Sequence, residues 1–415
     1  MNDDAIREVE ALVRKQNEWR LGRTINLIAS ENVLSLRARR LLGSDFHHRY
    51  AEGHPGQRYY QGTEIIDIIE DRTRQEMKAL FRCAQADVRA ISGTIANDAV
   101  FSVLIPRDAP VYANTVATGG HISHQKLGAL GRYTRTYRNF PMCPDGYRVD
   151  AARLKDEIAK DPPAAVLFGR SLFIHPEPVK EVAEVCREKK VLVIYDGAHV
   201  LGLIAGRQFQ DPLAEGADVL MGSTHKTFFG PQRGVVLSTF PDAVWKKIDR
   251  AVFPGMTSNH HLDTLPPLLA ATLEFRAFGE AYAKQVVTNA RALARALAAK
   301  GFAVDGADFG YTHSHQVAVN VGAQGGGKKA SERLKDNDII CNMNLLPSEQ
   351  GRSPLDPGGI RIGVQEMTRL GMREPEMEAI AGLMHDILMK GRNARSEVNA
   401  LRARFPSVHY SFDDR

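Results

Sequence analysis

Between residues 88 and 240 the sequence repeats one pattern: a short apolar run, then a stretch with helical periodicity. The runs are VRAIS, PVYA, AAVLFG, VLVIYD, ADVLMGS and GVVLS, and VKEVAEVCREKK is typical of what separates them. Within the runs, apolar residues do not alternate with polar ones, so both faces of each strand have to be covered. Strands of this kind separated by helices predict an α/β fold, a mostly parallel sheet between helical layers. In such sheets ligands bind at the carboxyl ends of the strands, so strand ends are where chemistry-bearing residues matter.

The flanks of this region differ from it. Ile6, Val9, Leu12 and Val13 recur at helical spacing in the first 20 residues, and TINLIASEN (24–32) reads as an extended arm. Residues 49–62, RYAEGHPGQRYYQG, combine Gly, Pro and aromatics and predict a structured loop without regular elements. A helix is expected from Glu64, with Ile65, Ile68 and Ile69 on one face. The pattern breaks again at VFPGMTSNHHLDTLP, followed by a long helical region from Leu268 to Lys300. Beyond it come a strand at QVAVNVG, a surface loop at GAQGGGKK, a helix near Ala330, a strand GIRIG and a last helix carrying Met377, Ile380, Met384, Ile387 and Leu388. The expected division is an arm (1–45), a large domain (46–280) and a smaller C-terminal domain (281–415).

A 415-residue chain with 43% hydrophobic residues can bury a large core without covalent staples. Cys83, Cys143, Cys186 and Cys341 are scattered, form no CxxC pair and predict buried small apolar residues in a reducing compartment. A formal charge of +5 with no long Lys/Arg run gives no reason to expect nucleic acid. No apolar run approaches the ~20 residues that span a bilayer, and the acidic start MNDDAIREVE is not a signal peptide. The expectation is a cytoplasmic protein that binds neither nucleic acid nor membrane.

Asp196 closes VLVIYD, and Lys226 follows ADVLMGS in the run STHKT. A carboxylate and a lysine at adjacent strand ends suit pyridoxal 5'-phosphate. The amine forms a Schiff base with the aldehyde, and the carboxylate keeps a proton on the pyridine nitrogen. Ser92, Gly93 and Thr94, in SGTIAND, join a strand end to a helix and offer a phosphate site at its N-terminus. His121, in GGHISH, supplies a ring able to stack on an aromatic cofactor. The pairs His47–His48, His121/His124 and His260–His261 lack partners at metal-ligand spacing, so no metal is expected. GAQGGGKK has Lys329 where a phosphate loop needs Ser or Thr.

Together with LIASEN, YAEGHPGQRYYQG, DGAHVLGLIAG, GSTHKTFFGP and GIRIG, these motifs resemble the serine hydroxymethyltransferase family, in order and over almost the whole chain. The resemblance implies a fold-type I pyridoxal-phosphate transferase with a mostly parallel seven-stranded sheet and a smaller α+β C-terminal domain. It implies Lys226 as the Schiff-base lysine, Asp196 as partner of the ring nitrogen and His121 as the stacking ring. His199 would reach the phenolic oxygen or the substrate, and Ser171 the ring region. Ser92, Gly93 and Thr94 would hold the phosphate, with His225 beside the lysine. Arg361, assisted by Ser30, would grip the amino-acid carboxylate, for which a guanidinium is suited. Glu52, with a pKa raised by burial, would handle the proton of the substrate hydroxyl. Tyr50 and Tyr60 would stand near phosphate and substrate.

In this family that loop serves the neighbouring subunit, so a homodimer with shared active sites is implied. The implied reaction cleaves the Cα–Cβ bond of serine by a retro-aldol step and hands one carbon to tetrahydrofolate or a related tetrahydropterin. Three departures stand out. PGMTSNHHLDTLP replaces the Gly-Gly-Pro run whose phosphate-binding role Ser258, Asn259 and His260 would take over. GPQRG shifts the usual arginine to Arg233, and His54 replaces a tyrosine. SNHH, NMNLLP and IRIGVQEMTR resemble an archaeal-type branch, which is similar both to pterin-using hydroxymethyltransferases and to threonine transaldolases. The alternative activity is therefore a folate-free threonine aldolase or transaldolase acting on a β-hydroxy amino acid.

Overall fold

The computed structural model describes residues 3–349 and 351–414. Met1 and Asn2, at the head of the expected first helix, lie outside the described residues. Seven strands form the central sheet: β1 (Gln85–Asp87), β2 (Val111–Ala113), β3 (Tyr137–Asn139), β4 (Ala165–Phe168), β5 (Leu192–Asp196), β6 (Val219–Ser223) and β7 (Gly234–Ser238), in the spatial order β1-β7-β6-β5-β4-β2-β3. Strands β2 to β6 pair in parallel. Only β7 runs against its neighbours β6 and β1.

The apolar runs are explained by what each face meets. Val166 and Phe168, Val193 and Tyr195, and Leu220 join one core with Leu154, Ile158, Val179 and Val182 from the helices Ala151–Lys160 and Val179–Lys189. The intervening Ala165, Leu167, Ile194, Val219 and Met221 join a second core with Ala96, Val100, Phe101, Trp245 and Ile248 from Gly93–Leu104 and Asp242–Arg250. Successive side chains point to opposite faces, so a strand covered on both sides is apolar throughout. Each such side chain contributes roughly 1.5–3 kcal/mol by leaving water.

Several elements differ from expectation. The first strand is Gln85–Asp87, upstream of VRAIS. The Arg89 N–H is bonded to Asp87 Oδ1 at 2.7 Å, and the Arg89 side chain folds back on the same carboxylate, so this N–H is not available to a neighbouring strand, while the Ala90 carbonyl still accepts from the Gly234 N–H at 2.8 Å. Strand β3 is a polar edge strand without an apolar run. Residues 49–62 do hold a regular element, a two-residue antiparallel pairing of Gly53–His54 with Gln57–Arg58. Arg58 anchors it, bonded to Asp67 at 2.7 Å and Glu70 at 2.8 Å. GAQGGGKK is not a free loop: a single turn, Gly322–Gln324, leads into the helix Gly326–Lys335. A side chain at Gly327 would run into the Gly359 carbonyl, so glycine permits this close approach. Cys186 and Cys341 are buried as expected, whereas Cys83 and Cys143 are half-buried at the ends of short connections.

The helix Leu265–Ala299 runs for 35 residues and contains the expected division point at 280. After it, β8 (Ala303–Val304), β9 (Gln316–Asn320), β10 (Asn342–Asn344) and β11 (Gly359–Gly363) form an antiparallel sheet in the order β8-β9-β11-β10. The helix Glu374–Leu388 follows as predicted, then an unpredicted one, Arg395–Ala403, and a final turn, Phe412–Asp414. The arm is pinned by parallel pairing of Ile25–Asn26 with Ile339–Ile340.

Two apolar stripes stay outside the core. The helix Asp3–Gln16 buries no residue, and Ile6, Val9, Leu12 and Val13 all face solvent. On the helix Glu64–Phe81 the packed face is Ile66, Met77 and Phe81, while Ile65 and Ile68 point away, 64% and 62% exposed. Among the described residues, no helix is long and apolar enough to cross a membrane.

Candidate active site

The carboxyl ends of β1, β2, β4, β5 and β6 lie along one edge of the sheet. Ser92 and Gly93 follow β1, His121 lies beyond β2, and Arg170 follows β4. Asp196 closes β5, and Ser223 with Lys226 ends and follows β6. These side chains line a single cavity of about 190 Å³, with Thr94, Asn97, Ala198, His199 and His225. Ser92 caps the helix Gly93–Leu104, its Oγ accepting from the Ile95 N–H at 3.2 Å. A Cβ on Gly93 would collide with Ser223 Oγ, so glycine lets this turn pack directly against the end of β6.

Asp196 is 6% exposed. Its Oδ2 accepts from His124 at 2.8 Å and Asn97 at 2.7 Å, and its Oδ1 accepts from the Ala198 N–H at 2.9 Å. Burial pushes this carboxyl up, but the bond and charge of His124, then His121 and Asn97, prevail and hold it well below the usual carboxylate range. Lys226 forms no ion pair among the described residues. Burial lowers its ammonium to about 8, with Asp196 opposing and Arg361 adding to the effect. Burial likewise lowers His121 and His225 to about 4. His121 is held by Ser123, whose Oγ lies 2.7 Å from Nδ1.

These groups fit pyridoxal 5'-phosphate on their own chemistry. An ionised carboxylate suits a protonated ring nitrogen, and a lysine that deprotonates near neutrality suits an aldehyde. A capped helix start suits a phosphate, and His225 Nδ1 beside it is buried without a hydrogen-bond partner among the described residues.

Other predicted residues stand elsewhere. Arg361, on β11, is 8% exposed and lowered by burial to about 10. It donates to the Ser171 carbonyl at 2.6 Å and to Asn342 Oδ1 at 3.2 Å. Ser171 thus meets the site through its main chain. Ser30 lines a neighbouring cavity of about 650 Å³ that shares His225. Glu52, Tyr50 and Tyr60 do not reach the Lys226 cavity of their own chain. Glu52 is half-buried within its own chain, accepting from Tyr60 at 3.2 Å and from Ser258. Tyr50 and Tyr60 pack with ring centroids 5.4 Å apart and remain 54% and 42% exposed.

The loop around Ser258 is not a free anion cradle. Asn259 holds the Ala51 N–H and the Arg49 carbonyl, and the His260 ring bonds Glu70 at 3.1 Å and Arg233 at 2.7 Å. Both His260 nitrogens are engaged, so this histidine cannot take a phosphate. Arg233 is fully buried in the same network.

Reading the sequence alone overlooked Asn97, His124, Arg170 and Ser223. Asn97 lies one helical turn beyond Gly93, and His124 is the second histidine of GGHISH, so periodicity pointed at both. Arg170 is tied to Glu177 by two bonds, and nothing in its local sequence marked it. Glu366, lining the larger cavity, was also overlooked. Burial raises it to about 7 against a bond from Asn26. The unfolded side chain titrates near 4.5, so between 4.5 and 7 only the folded state keeps the proton, and stability falls as pH rises through that window. Glu366→Gln is therefore expected to stabilise the protein by about 3 kcal/mol at pH 8 and by much less at pH 5. Urea unfolding at both pH values checks this, and an equal difference at the two would refute it.

The family model of serine hydroxymethyltransferase matches residues 3–384. The serine hydroxymethyltransferase of Methanothermobacter thermautotrophicus is 45% identical over 413 residues, covering 100% of this chain and 97% of that one. Those of Thermoplasma acidophilum and Methanocaldococcus jannaschii are 45% and 46% identical, covering 97% and 96% of this chain and 95% and 94% of theirs. Among solved structures, L-threonine transaldolase from Pseudomonas fluorescens in its internal aldimine state superposes with a TM-score of 0.89 at 28% identity, covering 99% of this chain and 94% of that one. With whole-length relatives and a strand-end lysine–aspartate cavity, the chain belongs to the serine hydroxymethyltransferase family of pyridoxal-phosphate-dependent transferases.

Proposed function

We propose that the chain is a glycine hydroxymethyltransferase of the cytoplasm. It interconverts serine and glycine and transfers one carbon to tetrahydrofolate or a related tetrahydropterin. The observation that carries this reading is Arg361, a buried guanidinium without a carboxylate partner among the described residues, close enough to Lys226 to act on its titration. A site that pairs a cofactor lysine with an unneutralised arginine suits an α-amino acid.

Bound pyridoxal phosphate supplies an electron sink that weakens the bonds at Cα. Lys226 Nζ is its covalent anchor, and Asp196 holds a proton at the ring nitrogen. His121 would cover the ring, and Ser171 would stand near it. Ser92, Gly93 and Thr94 orient the phosphate, with His225 beside them. His199 addresses the phenolic oxygen or the substrate. Arg361, with Ser30, binds the carboxylate, which fixes Cα and directs the β-hydroxyl away from it. Glu52 takes and returns the proton of that hydroxyl, with Tyr60 on its second oxygen.

Glu52, Tyr50 and Tyr60 lie outside the cavity of their own chain, so they serve a second copy in a homodimer. The exposed stripes Ile6–Val9–Leu12–Val13 and Ile65–Ile68 support this assembly. The 0.89 TM-score to a threonine transaldolase favours one other reading, glycyl transfer to a different aldehyde without a pterin. Product analysis separates them. The proposal expects glycine from serine to depend on added tetrahydrofolate. Serine cleavage indifferent to any pterin, with a new β-hydroxy amino acid from threonine and an aromatic aldehyde, would replace it with the transaldolase reading.

A further inference from the structure

His199 lines the cavity, and its two ring nitrogens meet different surroundings. Nδ1 lies 2.9 Å from Gln316 Nε2. Nε2 has no hydrogen bond among the described residues. The proton on a neutral histidine is placed by what its other nitrogen meets, so the orientation of the Gln316 amide decides the ring's role.

Two main-chain groups fix that amide. The Phe173 N–H can only donate, and it donates to Oε1 at 2.7 Å. The Ser171 carbonyl can only accept, and it accepts from Nε2 at 3.0 Å. Flipping the amide would set oxygen against a carbonyl and nitrogen against an N–H. The remaining Nε2 hydrogen has two histidine nitrogens in reach, His199 Nδ1 at 2.9 Å and His315 Nε2 at 3.4 Å; the latter carries the proton it donates to the Ala29 carbonyl, so the hydrogen goes to His199, whose Nδ1 has to be an acceptor. Gln316 is fully buried, so no solvent competes for these bonds. The His315 ring stacks on His199, centroids 5.9 Å apart and planes 16° apart, and its own Nε2 meets the Ala29 carbonyl at 3.0 Å. Burial first, and then the nearby Lys226 and Arg361 cations, disfavour a second proton on His199.

We propose that Gln316 is a positioning residue that fixes His199 as a neutral Nε2–H donor aimed into the cavity, and that it shares the Ser171 carbonyl with Arg361. His199 then donates a hydrogen bond to the cofactor or substrate oxygen and accepts no proton at Nε2. The protons of the reaction fall to other groups. That role in turnover rests on the function proposed above, whereas the tautomer does not.

The test is 15N NMR of the full-length protein labelled at histidine, with and without pyridoxal phosphate, His199 being assigned by loss of its signals in His199→Asn. The expected result is a pyrrole-type Nε2 and a pyridine-type Nδ1 in the wild type. Gln316→Glu, whose carboxylate only accepts, is expected to move a proton onto Nδ1 and to lower kcat about tenfold. Gln316→Met keeps the volume and is expected to lose the single-tautomer pattern, which covers a Glu variant that does not fold. A proton on Nδ1 in the wild type, or variants with the wild-type nitrogen pattern and kcat, would overturn the proposal. The expected tautomer in a protein inactive on serine would support the positioning of His199 while removing the proposed function.

Discussion

Lys226→Ala is expected to fold and to lose turnover by about 10³-fold or more, at least the middle of the roughly 10²–10⁴-fold range for one positioned proton-handling group. The side chain makes no ion pair among the described residues, so its removal breaks no charged contact in the core. What disappears is the covalent anchor, read as loss of the visible absorbance of lysine-bound cofactor with an unchanged far-UV circular dichroism spectrum. The same amine sets a pH dependence. Only the neutral form attacks an aldehyde, and burial has brought its pKa from 10.5 to about 8. The rate at which the apoprotein takes up pyridoxal phosphate is therefore expected to rise with pH up to about 8 and then level off. A rate still climbing tenfold per pH unit at pH 9 would contradict the burial effect, and an active Lys226→Ala protein would contradict the site.

Arg361→Ala is expected to raise KM for the amino acid by roughly 10²–10³-fold, about 3–4 kcal/mol at 1.36 kcal/mol per tenfold. Among the described residues the guanidinium is bonded to neutral partners only, the Ser171 carbonyl and Asn342. A buried cation left without an anion is unfavourable, and a bound carboxylate offsets that by pairing with two parallel N–H groups. Arg361→Lys is expected to recover only part of the loss, since an ammonium lacks the planar fork. The ligand-free Arg361→Ala protein is expected to be at least as resistant to urea as the wild type. A KM unchanged within about twofold would remove Arg361 from substrate binding.

Much of the fold was readable because its causes are local. The runs AAVLFG, VLVIYD and ADVLMGS keep apolar residues in succession through their middles, and each feeds both cores of a sheet covered on two sides. The helix Glu374–Leu388 carried its own periodicity. Strand Tyr137–Asn139 and the pairing Gly53–His54 with Gln57–Arg58 were not readable, because two or three residues have no period and their ladders depend on distant partners. In VRAIS the apolar character reflects burial rather than strand pairing, because the Arg89 N–H is spent on the Asp87 carboxylate.

In the site, Lys226, Asp196, His121 and the Ser92–Thr94 turn were legible as strand-end chemistry. Asn97 and His124, which keep Asp196 ionised, were inside quoted motifs and still passed over, because a hydrogen bond across 72 or 99 residues leaves no local mark. The amide of Gln316 is the extreme case: in the sequence it is one polar residue opening a strand.

The sequence by itself determined the alternation of buried strands and helices, the residue types at the strand ends, and so the kind of cofactor such an edge suits. Those follow from side-chain chemistry and from periods of two and 3.6 residues, which any stretch of chain carries with it. Only the tertiary structure decided which of those residues share a cavity and that Glu52 stands outside its own. It alone decided that His260 is spent on Glu70 and Arg233, and which nitrogen of His199 faces inward. Each depends on distances between segments far apart in the chain, set by sheet order and packing.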